Sequence, residues 1–398
     1  MNRIVLAYSG SLDGSAAISW LTEQYGAQVA TVSLDVGQGR RLEDVRDRAL
    51  ALGAVRAHVI DARDEFASGF ILPALQAGAL YEGRYPLATA LSLPLVARRL
   101  VEVGRIEKAD AIAHGSRHAN DSVRIETAAR ALEPGVRILA PAREWGMTRD
   151  QVLAYAKVRG IPLPAADSHY SIDMNLWGRS IEFGDIEDPW REPPEEIYEL
   201  TKSPLEAPDT PAYVEIGFEQ GVPVSINGVA MAPVELIQSL ETIAGAHAVG
   251  RIDMVENWMV GIKSREVYEA PSAVVLHLAH RELQSLVAPR DLERLTHDLS
   301  VRYADLVYNG LWYTPTREAI DGLVATVQKR VTGTVRLKFF KGDCRAVGRK
   351  SPYALHAPPP RDGVSQDPSA AEGYMRNWGL PLETATRLAS QIDPLDHD

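Results

Sequence analysis

The sequence predicts an α/β chain in which a doubly wound parallel sheet is followed by a second, α+β domain and a C-terminal helical arm. Over the first 165 or so residues, apolar runs of strand length alternate with stretches of helical spacing, which is typical of a parallel sheet covered by helices on both faces. Beyond Pro162–Pro164 the chain changes to hairpin and long-helix patterns. With 398 residues, 45% of them hydrophobic, the chain is long enough for two or three domains with sizeable cores.

The first domain opens with a buried strand and a helix. Arg3–Tyr8 is a continuous apolar run, as in strands covered on both faces, and Ser15–Tyr25 places Ala17, Ile18 and Leu21 at helical spacing. The remaining predicted elements are, in chain order, a strand at Gln28–Leu34, a helix at Leu42–Leu52, a strand at Val55–Ile60, helices at Glu65–Gln76 and Ala88–Val103, and strands at Ala109–Ala113 and Arg137–Ala140.

The rest of the chain is predicted to form hairpins, helices and a tail. Residues 166–215 are rich in Pro, Asp, Glu and Trp and show little periodicity. Beyond them the sequence predicts hairpins at Tyr213–Ile226 and Val335–Val347, and helices at Val234–Ala246, Ser272–Val287, Leu292–Leu311 and Arg317–Arg330. Pro381 opens a predicted short helix in the tail, which carries Leu382, Ala385 and Leu388 on one face and is expected to pack against a neighbour. The predicted domains are therefore residues 1–165, 166–360 and 361–398.

Composition and charge exclude several classes of protein. The formal net charge of −11, from 42 Lys+Arg against 53 Asp+Glu, disfavours a general nucleic-acid binder, which needs a basic surface. Cys344 is the only cysteine in the sequence, so a disulfide scaffold is excluded. No apolar run approaches the ~18 residues of a membrane span, and the N-terminal run MNRIVLAYSG is too short for a signal peptide. We therefore expect a cytoplasmic protein that does not bind a membrane.

One segment at the end of the first predicted strand has the residues of an anion-binding loop. It is Ala7-Tyr8-Ser9-Gly10-Ser11-Leu12-Asp13-Gly14-Ser15. Its small residues allow backbone N–H groups to turn inward as an anion-binding nest, and the helix N-terminus adds partial positive charge. Ser9 and Ser15 could donate hydroxyl hydrogen bonds to phosphate oxygens, and Asp13 could hold Mg²⁺ or cap the helix. Neither GxxxxGK[ST] nor GxGxxG is present, so the residues alone leave phosphate binding and a plain capping turn equally open.

This segment and four further strings resemble one known family. SGxLDxS after an N-terminal strand is similar to the pyrophosphate loop of the ATP pyrophosphatases, and the chain resembles argininosuccinate synthase over nearly its whole length. The strings that carry the resemblance are Leu80–Leu87 (LYEGRYPL), Asn120–Arg124 (NDSVR), Tyr170–Glu182 (YSIDMNLWGRSIE) and Gly250–Pro271 (GRIDMVENWMVGIKSREVYEAP). The resemblance implies an adenine nucleotide α-hydrolase-like fold for an ATP-binding first domain, a second domain for synthesis and oligomerisation, and a homotetramer.

The resemblance also implies a reaction of arginine biosynthesis. The ureido oxygen of citrulline would attack the α-phosphorus of ATP and release pyrophosphate. The amine of aspartate would then displace AMP from citrulline–AMP and give argininosuccinate. Such chemistry depends on positioning and charge neutralisation more than on acid–base catalysis. Mg²⁺ would accompany the nucleotide by bridging phosphate oxygens, and no metal ligand set of the protein's own is predicted.

The family's binding residues can be carried over to this chain one at a time. The resemblance implies that the nucleotide contacts Ala7–Ser15 and the backbone of Leu34 and Gly115, and that Ser9, Asp13 and Asp121 act in catalysis. The residues implied for citrulline are Tyr85, Asn120, Arg124, Ser171, Ser180, Glu256 and Tyr268, while Asn120 and Asp121 would face aspartate. Arg124 suits an α-carboxylate and Glu256 suits an α-ammonium. Taken singly, Tyr85 could instead be core, Asn120-Asp121 a helix cap and Glu256 a solvated charge.

The sequence departs from the family pattern in both loops of the implied site. In the first loop, Ser11 stands for the usual Gly and Gly14 for the usual Thr. A side chain at position 11 costs on the order of 1 kcal/mol if that position needs positive φ, and the missing hydroxyl at position 14 removes a phosphate donor. The second loop, Gly115–Asp121 (GSRHAND), is one residue shorter than the family's Gly-x-Thr-Gly-Lys-Gly-Asn-Asp, and Arg117 and His118 bring positive charge to it.

Three further departures leave the second substrate open. Leu93 and Trp258 stand where the family carries arginines, and Ala90 stands where many members carry serine; we interpret all three as supports of the loops. Most of the implied citrulline site is retained, while the loops for ATP and aspartate are altered. The alternatives are therefore a paralogous ligase of specialised metabolism that uses another amine, and a catalytically impaired binding protein of the same fold.

Overall fold

A five-stranded parallel sheet forms the centre of the N-terminal part and confirms the predicted strand–helix alternation. The computed structural model describes residues 1–39, 41–117, 119–162, 170–356 and 368–392. The elements of the N-terminal part are, in chain order, β1 (Arg3–Ala7), α1 (Leu12–Tyr25), β2 (Gln28–Asp35), α2 (Leu42–Ala51), β3 (Arg56–Asp61), α3 (Arg63–Phe66), α4 (Leu72–Gln76), α5 (Ala88–Ile106), β4 (Ala111–His114), α6 (Ala119–Leu132), β5 (Ile138–Leu139), α7 (Pro141–Glu144) and α8 (Arg149–Val158). A π-helical turn, Ala67–Ile71, joins α3 to α4.

The strand order of this sheet creates a crevice beside β1. The order is β3-β2-β1-β4-β5, so the chain moves outward from β1 through β2 and β3 and then returns to the other side of β1 at β4. Ile4, Val5 and Leu6 of β1 are fully buried, as expected for a central strand covered on both faces. Ligands of open parallel sheets bind beyond the carboxyl ends of the strands where the order reverses, which here is the edge where β1 and β4 end.

Among the described residues of the same compact unit, Met1–Leu355, two antiparallel sheets and four α-helices follow the parallel sheet. Their elements are β6 (Ser171–Asn175), β7 (Gly178–Glu182), β8 (Ala212–Glu219), β9 (Val222–Ile226), β10 (Val229–Ala230), α9 (Pro233–Ala246), β11 (Arg251–Asn257), β12 (Lys263–Glu269), α10 (Pro271–Val287), α11 (Arg290–Tyr308), α12 (Pro315–Gln328), β13 (Gly333–Phe340) and β14 (Asp343–Lys350). One sheet, in the order β10-β9-β8-β13-β14, confirms both predicted hairpins. The other has the order β11-β12-β7-β6.

The sheet of β11, β12, β7 and β6 lies where the sequence pattern predicts no strands. Its buried positions include polar residues, among them Ser180 on β7 and Glu256 on β11. Strand periodicity is recognised by alternating apolar residues, so a strand with a polar buried face gives a weak signal. The same polar face builds the candidate site described below.

The tail helix is longer than the sequence predicts. The described helix α13 spans Pro368–Ile392, and Pro381 lies inside it rather than at its first turn. The φ angle of proline is compatible with a helix. Helix α13 therefore continues on both sides of Pro381, although that residue has no N–H to donate to a helical hydrogen bond. Leu382 and Leu388 are exposed, and the packing of their face against a neighbour stays a prediction.

The described helices include none that combines the length and the hydrophobicity needed to cross a membrane. Nor do the described His, Cys, Asp and Glu side chains form a group of three or more that could hold a metal ion. The boundary predicted between residues 165 and 166 lies outside the described residues.

Candidate active site

The loop between β1 and α1 is shaped by Gly10 and Ser11. Gly10 has a φ of +79°, in the left-handed region that favours glycine, whereas Ser11 is extended, with φ −66° and ψ 163°. Ser11 is the N-cap of α1, and its Oγ accepts a hydrogen bond from the Gly14 amide over 3.1 Å. The strain considered for a side chain at position 11 is therefore absent, and Ser11 rather than Asp13 caps the helix.

Two further hydroxyls of the loop, those of Tyr8 and Ser15, point into the protein. Tyr8 and Ser15 are both buried, and their side-chain oxygens lie 3.0 Å apart. Burial raises the pKa of the Tyr8 hydroxyl. The first amides of a helix have no intrahelical acceptor, so those of Leu12 and Asp13 remain as donors at the loop, while the Ser15 amide bonds to the Ser11 carbonyl over 2.9 Å.

The departures at positions 11 and 14 are physically linked. A Cβ added at Gly14 would lie 3.1 Å from Ser11 Oγ and 3.2 Å from Tyr8 Cδ2, both closer than ordinary contact. Ser11 Oγ could rotate away only by giving up its bond to the Gly14 amide. The serine at position 11 and the glycine at position 14 therefore act as one structural unit.

We expect Gly14→Thr to destabilise the protein by about 1 kcal/mol through loss of the Ser11 cap, and by less than half of that when Ser11 is already glycine. Ser11→Gly alone should cost only a few tenths of a kcal/mol, because glycine is itself an acceptable N-cap. Urea unfolding of the two single variants and the double variant measures the coupling. Additive effects of the two changes would contradict the linkage.

The loop after β4 meets the loop after β1. A Cβ on Gly115 would lie 3.3 Å from both the N and the Cα of Gly14, so the two backbones are in close approach. Arg117 forms an ion pair with Asp13 at 2.7 Å. His118 lies outside the described residues. Leu34 is the last residue but one of β2, on the other side of β1, and its carbonyl accepts a hydrogen bond from Gln38 Nε2 over 2.6 Å. The residues predicted for the nucleotide therefore converge on one edge of the sheet.

Beside this edge lies a cavity whose empty space, open solvent at its mouth included, is about 430 Å³. Its lining residues are Tyr85, Thr89, Ala119, Asn120, Asp121, Arg124, Glu182, Glu256, Trp258, Glu266, Tyr268 and Tyr308. Five of the seven residues predicted for citrulline are in this lining, together with Asp121. Ser171 and Ser180 are not among the lining residues, although they lie on the adjacent strands β6 and β7.

Strand register explains why the cavity wall is polar. Tyr268 pairs with Ile252 on β11 and with Ser180 on β7, and Ser264 pairs with Glu256. Because side chains alternate along a strand, Glu256, Glu266, Tyr268, Ser180 and Glu182 all lie on one face of this sheet. Ser180 thus shares a face with the lining residues without itself reaching the cavity.

Glu256 and Arg124 are two buried, hydrogen-bonded ionisable groups of this cavity. Glu256 is 2% exposed, and its carboxylate accepts hydrogen bonds from the hydroxyls of Tyr268 and Tyr308, each at 2.7 Å. Burial raises the Glu256 pKa, and these two hydrogen bonds oppose that rise. The Arg124 guanidinium lies over the Tyr308 ring, donates from Nε to the Tyr308 carbonyl over 2.8 Å and from Nη1 to Asp121 over 2.9 Å. Neither residue is a solvated charge, and Tyr85 is both buried and part of the lining.

Trp258 belongs to the wall of the cavity, so its interpretation as a support of the loops is wrong. Its Nε1 donates to Glu266 Oε1 over 3.1 Å. Glu266 is 1% exposed, and burial, with repulsion from Glu256, raises its pKa. Burial and repulsion from Glu266 raise the pKa of Glu182 as well. This wall is therefore acidic, with the indole of Trp258 among its carboxylates. Ala90 is buried and Leu93 is partly buried in the core, and their interpretation as supports of the loops stays a prediction.

Stability should fall with rising pH because of Glu266. Its raised pKa means that the folded protein keeps a proton that the unfolded chain releases from about pH 4.5 upward. The stability that this proton contributes is complete below pH 4.5 and is lost as pH rises through the folded-state pKa, with a slope of at most about 1.4 kcal/mol per pH unit. Glu266→Gln removes this titration. As pH rises from 4.5 to 8, the free energy of unfolding of the wild type should therefore fall relative to that of Glu266→Gln.

Urea unfolding from pH 4.5 to 8 tests the expectation for Glu266. The control is Glu215→Gln, on β8, because a hydrogen bond from Arg336 lowers the pKa of that carboxyl. Glu215→Gln should therefore show the same fall in stability with rising pH as the wild type. Parallel profiles of the wild type and Glu266→Gln over the whole range would show that Glu266 does not keep its proton.

Sequence reasoning missed Glu182, Glu266 and Tyr308 as lining residues. Two signals could have identified the acidic pair, since Glu182 lies two residues after Ser180 and Glu266 two before Tyr268, the spacing of one strand face. Tyr308 ends α11, and its contact with Arg124 joins residues 184 positions apart, so it has no local signal.

Known proteins resemble this chain over almost all of its length. Residues 3–162 match the family description "Arginosuccinate synthase N-terminal HUP domain", and residues 170–385 match "Arginosuccinate synthase C-terminal domain". The chain is 52% identical to the argininosuccinate synthase of Symbiobacterium thermophilum over 390 residues, 96% of each chain. It is 50% identical to those of Gloeobacter violaceus, over 396 residues, and Synechococcus elongatus, over 395 residues, covering 98% of each chain in both cases.

Proposed function

The chain belongs to the argininosuccinate synthase family, ligases that join citrulline and aspartate with ATP, and from that premise we propose which of its residues bind each substrate. The reaction forms citrulline–AMP and pyrophosphate, and then argininosuccinate and AMP. The observation that carries the residue assignments is the convergence of the loops after β1 and β4 beside the polar cavity.

The nucleotide is assigned to the crevice at the carboxyl ends of β1 and β4. Ala7–Ser15 would hold the phosphates through first-turn amides and the N-terminus of α1, with Ser9 as a hydroxyl donor. Leu34 and Gly115 would contact the nucleotide through their backbone. Mg²⁺ accompanying the nucleotide would neutralise phosphate charge, and Asp13, the one carboxylate of Ala7–Ser15, would be the residue of this loop to hold it. These assignments are supported by the strand order and by the helix cap at Ser11.

Citrulline is assigned to the cavity. Its α-ammonium would pair with Glu256, and its α-carboxylate with Arg124, a buried guanidinium that is already oriented by Tyr308. Tyr85 and Tyr268 are stacked, with ring centroids 4.0 Å apart, and so present a rigid wall to the substrate. Asn120 would also contact citrulline. Ser171 on β6 and Ser180 on β7 would contribute from positions near the lining.

Aspartate is assigned to Asn120 and Asp121, in the first turn of α6. The carboxylate of Asp121 would take the ammonium of aspartate, exchanging it for its present bond to Arg124. This arrangement would place the amine between the citrulline cavity and the nucleotide loops. The protein's contribution to rate would be orientation of the two reactants and neutralisation of phosphate charge.

The finer organisation is also proposed from the family. Residues 1–165 would form the ATP-binding domain, 166–360 the domain for substrate binding and oligomerisation, and 361–398 an arm that joins the subunits of a homotetramer. The apolar residues exposed on α13, including Trp378 and Leu382, support an assembly role for the arm. The expected location is the cytoplasm. Light scattering of the purified protein measures the number of subunits, and a monomer would contradict the tetramer.

A product assay tests the function. The protein is incubated with Mg²⁺, ATP and citrulline, with and without aspartate, and pyrophosphate and argininosuccinate are measured over a single turnover. We expect pyrophosphate with citrulline and argininosuccinate only when aspartate is added. Pyrophosphate without argininosuccinate would indicate another amine substrate, and no pyrophosphate with any ureido compound would indicate a binding protein.

A further inference from the structure

Arg117 extends from the loop between β4 and α6 to the first turn of α1. Its Nη2 donates to Asp13 Oδ1 over 2.7 Å and its Nε donates to Asp13 Oδ2 over 3.3 Å, so the guanidinium forks onto the carboxylate. Its Nη1 donates to the Met147 carbonyl over 3.2 Å. The backbone behind it is fixed by the close approach of Gly115 to Gly14. Arg117 is therefore held at the mouth of the proposed phosphate loop.

The loop itself contains no cation. Ala7–Ser15 includes neither Lys nor Arg, and its one charged side chain, Asp13, is negative. Arg48 and Arg117 are described residues whose guanidinium groups contact the loop. Arg48 donates from Nη1 to the Gly10 carbonyl over 3.2 Å. The contact of Arg117 is with a carboxylate, which an anion of higher charge can replace.

The ion pair of Arg117 is suited to such an exchange. The Arg117 and Asp13 side chains are 40% and 26% exposed, and ion pairs in contact with solvent stabilise little. A guanidinium fork matches two phosphate oxygens as well as two carboxylate oxygens. A nucleotide polyphosphate in this crevice would therefore compete effectively for Arg117.

We propose that Arg117 binds the β- and γ-phosphate oxygens of ATP, leaving Asp13 when the nucleotide enters, and stays on pyrophosphate until that product departs. The proposal rests on the proposed assignment of Ala7–Ser15 as the phosphate loop. It makes Arg117 a residue that selects the polyphosphate end of the nucleotide. AMP lacks both of these phosphates, so its binding should not depend on Arg117.

Calorimetric titration of ATP, pyrophosphate and AMP into the wild type and two Arg117 variants tests the proposal. Arg117→Gln should raise the Kd of ATP and of pyrophosphate about tenfold or more, because a charge-assisted fork is lost, and should change the Kd of AMP less than about twofold. Arg117→Lys keeps the charge without the fork and should fall between the wild type and Arg117→Gln. A thermal melt of each variant checks that it is folded, and Arg117→Lys alone decides the question if Arg117→Gln does not fold.

The matched control is Arg130→Gln. Arg130 is 59% exposed on α6 and pairs with Glu126, away from the loop, so all three affinities should be unchanged. If Arg117→Gln weakens the binding of ATP and of AMP equally, Arg117 only holds the two loops together. If the variant leaves the affinity for ATP unchanged, Arg117 does not bind phosphate. Either result overturns the proposal. A wild type that binds no ATP would instead overturn the assignment of the phosphate loop.

Discussion

Glu256→Gln should lower kcat/KM for citrulline about 100-fold or more, with most of the change in KM. Glu256 is the buried carboxylate that the citrulline ammonium is proposed to meet, and removing one partner of a buried charge pair costs about 2–5 kcal/mol. Glutamine keeps an oxygen that can accept from Tyr268 or Tyr308, so the cavity should keep its shape. Steady-state kinetics with citrulline varied at saturating ATP and aspartate give the measurement.

The specificity of this effect is checked by ATP binding and by a control. The Kd of ATP should be the same in Glu256→Gln and the wild type, because Glu256 faces the cavity and not the phosphate loop. Glu215→Gln, which removes a carboxylate paired with Arg336 in another sheet, should leave kcat/KM unchanged. If KM for citrulline stays at its wild-type value in Glu256→Gln, the ammonium is held elsewhere.

Arg124→Gln should affect both citrulline binding and stability. The guanidinium is 5% exposed, and it ties α6 to the end of α11 through the Tyr308 carbonyl and to Asp121 through Nη1. Its loss would leave Asp121 as a carboxylate without its present cation. We therefore expect kcat/KM for citrulline to fall about 100-fold or more, and the free energy of unfolding to fall by about 3–5 kcal/mol.

Two comparisons separate charge from geometry in this prediction. Arg124→Lys keeps the charge but lacks the planar fork, so it should recover part of the stability and less of the citrulline affinity. Arg130→Gln, on the exposed side of the same helix, should change neither quantity measurably. Urea unfolding and citrulline kinetics of the three variants provide the test. Wild-type citrulline kinetics in Arg124→Gln would remove Arg124 from the substrate site.

The departures from the family pattern show where sequence comparison reaches its limit. Ser11 in place of glycine could lower or raise the stability of the protein, depending on the φ angle at position 11. The structure assigns the positive φ to Gly10, so Ser11 becomes a helix cap. Likewise Trp258 in place of arginine could have been a distant support, but it reaches the cavity and donates to Glu266. In both cases residue identity was insufficient because the effect depends on backbone geometry and neighbours.

The sequence by itself determined the parallel sheet, both hairpins of the second sheet and the position of the loop after β1. Those features follow from local patterns of apolar residues and turn residues, which act over a few positions of the chain. Only the tertiary structure decided that Glu182, Glu266 and Tyr308 share a cavity with Arg124, and that Arg117 reaches Asp13. These contacts join elements far apart in sequence, and their existence depends on strand register and on the packing of whole helices, which no short stretch of sequence encodes.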